Sequence, residues 1–263
     1  MSDRYARFSS LRLETPEPGL LEIVLDGPNL NAVSPEMHRD LARIWPDLDD
    51  DDDVRVVLVR GEGKAFSAGG DIEAWAALDP LTFGRLWIRD GHRAMDRLAR
   101  LRQPTIAVLT GHALGGGLEL AAVADFRVAE AHVRLGLPET GLGMVPGWSG
   151  TQRLVRRFGA QIVRRMSIAG EMLGADQALA AGLVDRVVPT GEGPAAAREM
   201  AQRLLARGPA ALQVAKQMIA LAEGEERDGA IESIAGALIA TTADLAEGVG
   251  AFRAKRAASF EDR

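Results

Sequence analysis

Cysteine is absent from all 263 residues. That excludes disulfides, thiol nucleophiles and thiolate metal sites, and it leaves the compartment open, with the cytoplasm as the default expectation. Histidine is scarce. His38, His92, His112 and His132 are scattered without a ligand spacing such as HExxH, and no metal site is expected. Long apolar runs are missing too: no stretch reaches the roughly 18 apolar residues of a membrane span. The opening MSDRYARFSS lacks the apolar segment of a secretory signal. Basic charge is outnumbered, 31 Lys and Arg against 37 Asp and Glu, and the net charge of −6 gives no electrostatic footprint for nucleic acid. What remains is the composition of a globular enzyme, 47% hydrophobic and 26% charged, in a chain long enough to bury a sizeable core.

The chain opens with strand material. Residues 11–13 and 20–25 flank Pro16-Glu17-Pro18-Gly19, which reads as a hairpin turn. Ser34 is expected as the N-cap of a helix with Pro35 at its first position; Met37, Leu41, Ile44 and Trp45 form its apolar face, and Pro46 should limit it. The acidic run 49–53 reads as a solvated link, because adjacent aspartates in a regular segment cannot converge on one ion. A buried strand over 54–59 leads to a glycine-marked bend, Gly69-Gly70, and a helix over 73–78. Residues 81–101 read as a long amphipathic segment with Leu86, Met95, Leu98 and Leu101 on its apolar side.

The stretch GHALGGGLELAAVA, residues 111–124, follows the apolar run 105–109, a buried strand. Gly115, Gly116 and Gly117 then lead into a helix. Glycines let the backbone turn sharply, and the first N–H groups of a helix lack internal partners and carry partial positive charge. Strand, glycine turn and helix start together make a pocket for an anion, or for an oxygen that becomes one. Glu119 lies one turn into that helix in an apolar setting, where a carboxylate is costly unless it works or is well paired. The same strand–turn–helix pattern at Gly69-Gly70 suggests that one N–H from each bend meets at a single point. After a strand over 184–188 the chain is helix-rich, over 195–207, 210–223, 226–246 and 248–258. Ile231, Ile234, Leu238 and Ile239 make an apolar face there that suits either core or subunit interface.

Four blocks in order, AFSAGGDI (65–72), GHALGGGLEL (111–120), LPETGLGMVPGWSGTQRL (137–154) and AAGLVDRVVP (180–189), resemble the enoyl-CoA hydratase/isomerase, or crotonase, superfamily. The ending EGVGAFRAKRAASF (247–260) is similar as well. The resemblance implies an α/β fold: a crotonase-like spiral of ββα turns over 1–190 with the CoA-ester site, then a C-terminal helical trimerisation region over 191–263. It implies a homotrimer or dimer of trimers acting on acyl-CoA, with CoA as part of the substrate and no other cofactor. Carried over by position, the oxyanion hole falls on the N–H groups of Gly70 and Gly116, the catalytic carboxylates on Glu119 and Glu139, and a glycine beside the catalytic water on Gly147. CoA contacts fall on Ala68, Asp71, Ile72, Phe252 and Lys255, and substrate-pocket contacts on Leu114 and Trp148. Where many members carry a basic residue by the CoA adenine, this chain has Glu73, and no basic residue precedes Leu30-Asn31-Ala32.

The implied reaction is reversible hydration of a 2-enoyl-CoA, with water activation chiefly by Glu119 and C2 protonation by Glu139; from the residues alone the two roles are exchangeable. A single working carboxylate would instead leave a 3-enoyl to 2-enoyl isomerase, and loss of turnover an acyl-CoA-binding protein. Trp148 stands where such hydratases usually have a small residue. Two readings are open: the indole narrows the acyl pocket, or it points into the core.

Overall fold

The computed structural model describes residues 5, 7–225, 235–236 and 238–261. The chain divides into two compact units, Met1–Gln213 and Val214–Arg263. The strands of the first unit are β1 (Leu11–Glu17), β2 (Leu20–Leu25), β3 (Val56–Gly61), β4 (Ala65–Ser67), β5 (Thr105–Leu109), β6 (His112–Leu114), β7 (Phe126–Glu130), β8 (Arg134–Gly136), β9 (Leu173–Gly174) and β10 (Arg186–Val188). They form two sheets, in the orders β1-β2-β3-β5-β7-β10 and β4-β6-β8-β9. In the larger sheet only β1 runs antiparallel to its neighbour. Three times the chain places one strand in the large sheet and the next in the small one: β3 then β4, β5 then β6, β7 then β8. Helical segments follow each pair, which is the ββα spiral.

The large sheet is covered on both faces, as a mostly parallel sheet of β-branched residues must be. Leu21, Ile23, Val57, Val59, Ala107 and Leu109 face the main core. Leu20, Val56, Leu58, Ile106 and Val108 pack instead against Ala196, Ala197 and Ala201 of the helix Gly193–Leu205. The first helix of the C-terminal part of the sequence is therefore a layer of this unit.

Local chemistry sets most boundaries. Ser34 caps the helix Pro35–Asp49 by accepting from Met37 N at 3.1 Å. That helix runs through Pro46 rather than ending there. An interior proline costs about 3 kcal/mol, but burying Ile44, Trp45 and Leu48 on either side contributes about 1.5–3 kcal/mol each. Pro16 likewise does not start the turn. It lies within β1, an edge strand whose register shifts between Glu14 and Glu17, where a missing N–H is tolerated. Leu86 departs from its expected apolar side and is exposed, while Trp87 is buried. The cause is a π-helical turn, Phe83–Ile88, ahead of the helix Arg89–Arg100. The wider turn rotates the face presented to the core by about one residue. Met95, Leu98 and Leu101 are buried as expected.

In the second unit, a helix Ala243–Ala254 begins at Thr242, whose side chain accepts from Leu245 N, and spans the break expected near 247. Leu238 and Ile239 are exposed within this unit; Ile231 and Ile234, with the rest of 226–234 and residue 237 of the helix expected over 226–246, lie outside the described residues.

Candidate active site

The two glycine bends converge. After β4 the chain turns through Gly69, at φ +96°; after β6 it turns through Gly115, at φ +52° and ψ −127°, backbone conformations that a side chain would strain. Val33 N donates to Gly69 O (2.8 Å) and Asp71 N to Val33 O (3.1 Å), a pairing that leaves the Gly70 N–H out of the ladder. Gly116 opens the helix Gly116–Val123, so its N–H has no acceptor within the helix. The bends lie against each other: a Cβ on Gly69 would stand 3.1 Å from Gly116 N, and one on Gly116 would stand 3.5 Å from Gly70 N. Two N–H donors therefore adjoin at the head of a helix dipole, and the arrangement suits one oxygen that gains charge.

Glu119 is buried on the helix that Gly116 opens, at 4% exposure. Its Oε1 accepts from Trp148 N at 2.7 Å and from Gly150 N at 2.6 Å. The residue between those two donors, Ser149, is in the left-handed region (φ +77°, ψ 6°), which turns both flanking N–H groups toward one carboxylate oxygen. Ser149 Oγ lies 2.9 Å from His92 Nδ1, and His92 Nε2 lies 3.4 Å from Asp96 Oδ2. Burial pushes the Glu119 carboxyl up to about 7; the Gly150 N–H pulls it back, Glu139 pushes it further, and the N–H groups of Trp148 and Gly147 oppose.

Glu139 lies on a short 3₁₀ turn, Pro138–Leu142, that follows β8. Its Oε1 would stand 3.0 Å from a Cβ on Gly115, and its Oε2 is buried without a hydrogen-bond partner. Burial raises this carboxyl too, against the pull of its own backbone N–H. A buried carboxyl and a half-buried one, both with raised pKa, thus line the cleft that holds the pair of N–H donors, an arrangement for moving protons.

A cleft of about 590 Å³, counting the solvent at its mouth, joins these groups. Of the residues proposed from sequence, Gly70, Gly116, Glu119, Glu139, Gly147, Ala68, Ile72 and Trp148 line it. Leu114 does not; its carbonyl oxygen stands 2.9 Å from where a Cβ on Gly69 would be. Asp71 is also off the lining, where its side chain caps the helix Ile72–Ala76 by accepting from Ala74 N. Phe252 and Lys255 belong to the second unit, Phe252 exposed and Lys255 at a left-handed helix end. Trp148 points into the core, as one of its two readings had it, at 3% exposure, and it also lines the cleft. Sequence reasoning missed Trp75, Phe83, Trp87 and Ile88, which line the cleft as well. It also missed Ser149, whose only signal was a non-glycine in a glycine-rich loop.

Comparison with known proteins agrees with this geometry. The description of the Enoyl-CoA hydratase/isomerase family matches residues 15–263. The chain is 34% identical over 239 residues to the crotonyl-CoA hydratase of Syntrophomonas wolfei, covering 88% of this chain and 90% of that one. It is 35% identical over 251 residues to a probable mitochondrial enoyl-CoA hydratase 2 of Arabidopsis thaliana, covering 93% and 82%. Among solved structures, an enoyl-CoA hydratase from Bacillus anthracis superposes with a TM-score of 0.81 at 30% identity, covering 97% of this chain and all (100%) of that one. With its ββα spiral and paired glycine bends, the chain belongs to the enoyl-CoA hydratase/isomerase family, the crotonase superfamily, and is an enzyme of that class.

Proposed function

We propose that the protein is an enoyl-CoA hydratase, adding water reversibly to a 2-enoyl-CoA to give a 3-hydroxyacyl-CoA. The observation that carries the reading is the pair of carboxyls, Glu119 and Glu139, both raised by burial, in one cleft with the Gly70 and Gly116 N–H groups. A thioester oxygen held by those two donors becomes an enolate oxygen as water attacks C3, and each donor is typically worth about 3–4 kcal/mol of barrier. Glu119 takes a proton from water as the C3–O bond forms; the electron pair of the double bond moves onto the thioester oxygen and returns as Glu139 gives a proton to C2. The competent pair carries one proton, on Glu139, since Glu119 must accept a proton as Glu139 gives one. A Glu119 pKa of about 7 keeps both of its forms populated near neutral pH.

The thioester is its own electron sink, so the reading calls for no cofactor beyond the CoA of the substrate. Ala68 and Ile72 are assigned to its near end; Phe252 and Lys255, as the resemblance implies, to the nucleotide end across a subunit boundary. Assembly as a trimer or dimer of trimers, and a cytoplasmic address, are parts of the same reading. Exposed Leu245, Val249 and Phe252 in the second unit support the assembly.

Purified protein mixed with crotonyl-CoA should remove the absorbance of the conjugated enoyl thioester. Glu119→Gln and Glu139→Gln should each slow that loss by about 10²–10⁴-fold, the usual worth of a general acid or base. No loss with any 2-enoyl ester would overturn the reading. Glu119→Gln that still converts a 3-enoyl-CoA to its 2-enoyl isomer would mark an isomerase instead.

A further inference from the structure

The sequence holds only four tryptophans, and three of them, Trp75, Trp87 and Trp148, line the cleft. The cleft has an open rim and a closed end. At the rim, Ile72, Leu142 and Val145 are 47%, 59% and 65% exposed; at the other end Trp87 and Trp148 are 6% and 3% exposed. A thioester on the Gly70 and Gly116 N–H groups has its bulky CoA side toward solvent, so its acyl chain points to the closed end.

Trp148 is built into that end. Its Nε1 donates to Trp87 O at 3.0 Å. Its ring stacks on His38 at 5.6 Å between centroids with 7° between planes, and lies tilted against Trp87 at 5.4 Å. Two glycines make room for it: a Cβ on Gly116 would stand 2.6 Å from Cζ3, and one on Gly91, inside the helix Arg89–Arg100, would overlap Nε1. The backbone N–H of the same residue donates to Glu119 Oε1, so the indole and the carboxylate are mounted on the same short stretch of chain. Ile88 closes the neighbouring wall, since a Cβ on Gly147 would stand 2.6 Å from its Cδ1.

We infer that Trp148 is the specificity-determining residue of the acyl site, and that it restricts the enzyme to short acyl-CoA esters of about crotonyl length. The inference rests on the hydratase reading for its substrate class. Longer chains must displace a hydrogen-bonded, stacked ring rather than a loose aliphatic side chain, so the depth of the pocket is fixed. One methylene beyond what an apolar pocket holds is worth roughly 10–200-fold in discrimination.

The test measures kcat/KM for crotonyl-CoA, 2-hexenoyl-CoA and 2-octenoyl-CoA, and binding of butyryl-CoA and octanoyl-CoA by calorimetry. Wild-type protein should favour crotonyl-CoA over 2-octenoyl-CoA by at least about 100-fold and bind butyryl-CoA the more tightly. In Trp148→Ala and Trp148→Phe the octenoyl-to-crotonyl ratio of kcat/KM should rise, by about tenfold or more in the alanine variant. Should the alanine variant not fold, the wild-type profile and Trp148→Phe decide. Equal use of the three esters by the wild type, or an unchanged ratio in a folded variant, would overturn the inference and leave the hydratase reading standing. Absence of hydration together with selective butyryl-CoA binding that Trp148→Phe relaxes would overturn the hydratase reading alone.

Discussion

The two carboxyls of the site are held in opposite ways. Glu119 sits inside a helix whose residues are all buried, and one of its oxygens takes two backbone N–H groups. Glu139 sits on a five-residue 3₁₀ turn between a strand end and a glycine-rich loop, with its Oε2 unpartnered. One group is fixed in position and its proton affinity is set by burial against opposing dipoles; the other, also on the cleft lining, leaves one oxygen without a hydrogen-bond partner. This asymmetry fits a division in which the fixed carboxyl orients water and the less constrained one follows the substrate's C2 as it changes geometry.

The largest effect should come from breaking the frame around Glu119 while leaving both carboxyls in the sequence. A Cβ on Gly150 would stand 2.5 Å from Glu119 Oε1 and 2.7 Å from its Cγ. Gly150→Ala should therefore lower kcat for crotonyl-CoA by about 10²-fold, the scale of a misplacement near 1 Å. Thermal unfolding should still show a cooperative transition. Activity within a few-fold of wild type would mean that the frame does not matter.

A second contrast lies in how pH acts on stability. The folded pKa of Glu119, about 7, is above its ordinary 4.5, so the native state binds this proton more tightly than the unfolded chain does. The stability it contributes is complete below about 4.5 and is lost as pH rises through about 7. Glu119→Gln keeps an acceptor oxygen for the Trp148 and Gly150 N–H groups and removes the charge. Its stability relative to wild type should rise between about pH 5 and pH 8, by at most about 3 kcal/mol. Denaturant melts at the two pH values check this, and a difference that does not change with pH would contradict the burial argument.

The smallest effect concerns the hinge of the frame. Ser149 is strained for a non-glycine residue, and its hydroxyl lies against His92. Ser149→Gly should hold kcat within about threefold, because glycine adopts the left-handed region freely. Ser149→Val should cost about 1–2 kcal/mol of stability, since a β-branched side chain is a genuine outlier there. Chemical unfolding and crotonyl-CoA turnover of the two variants, side by side, separate the backbone from the hydroxyl.

Much of the site was legible in the sequence because it is written in the local backbone. Glycines at 69, 70, 115 and 116, each following a strand, dictate bends wherever they occur, and a lone glutamate in an apolar helix has few reasons to be there. What stayed hidden depends on turns of non-standard width or on contacts far apart in the chain. The π-helical turn Phe83–Ile88 exchanged the environments of Leu86 and Trp87, and periodicity counted at the α-helical spacing could not register it. Pro46 stayed in its helix because the core on either side outweighed a local rule. Ser149 and His92 are 57 residues apart, and no local spacing links the two.

The division of labour between the carboxyls is tested most directly by proton exchange at C2 without hydration. Butyryl-CoA in deuterium oxide cannot add water, so deuterium entering at C2 reports enolate formation alone, which the proposed function assigns to the Gly70 and Gly116 N–H groups. Wild-type protein and Glu119→Gln should both incorporate deuterium, and Glu139→Gln should not. Exchange that survives in Glu139→Gln but disappears in Glu119→Gln would reverse the two roles, and the contrast between the fixed and the unconstrained carboxyl would fail with it.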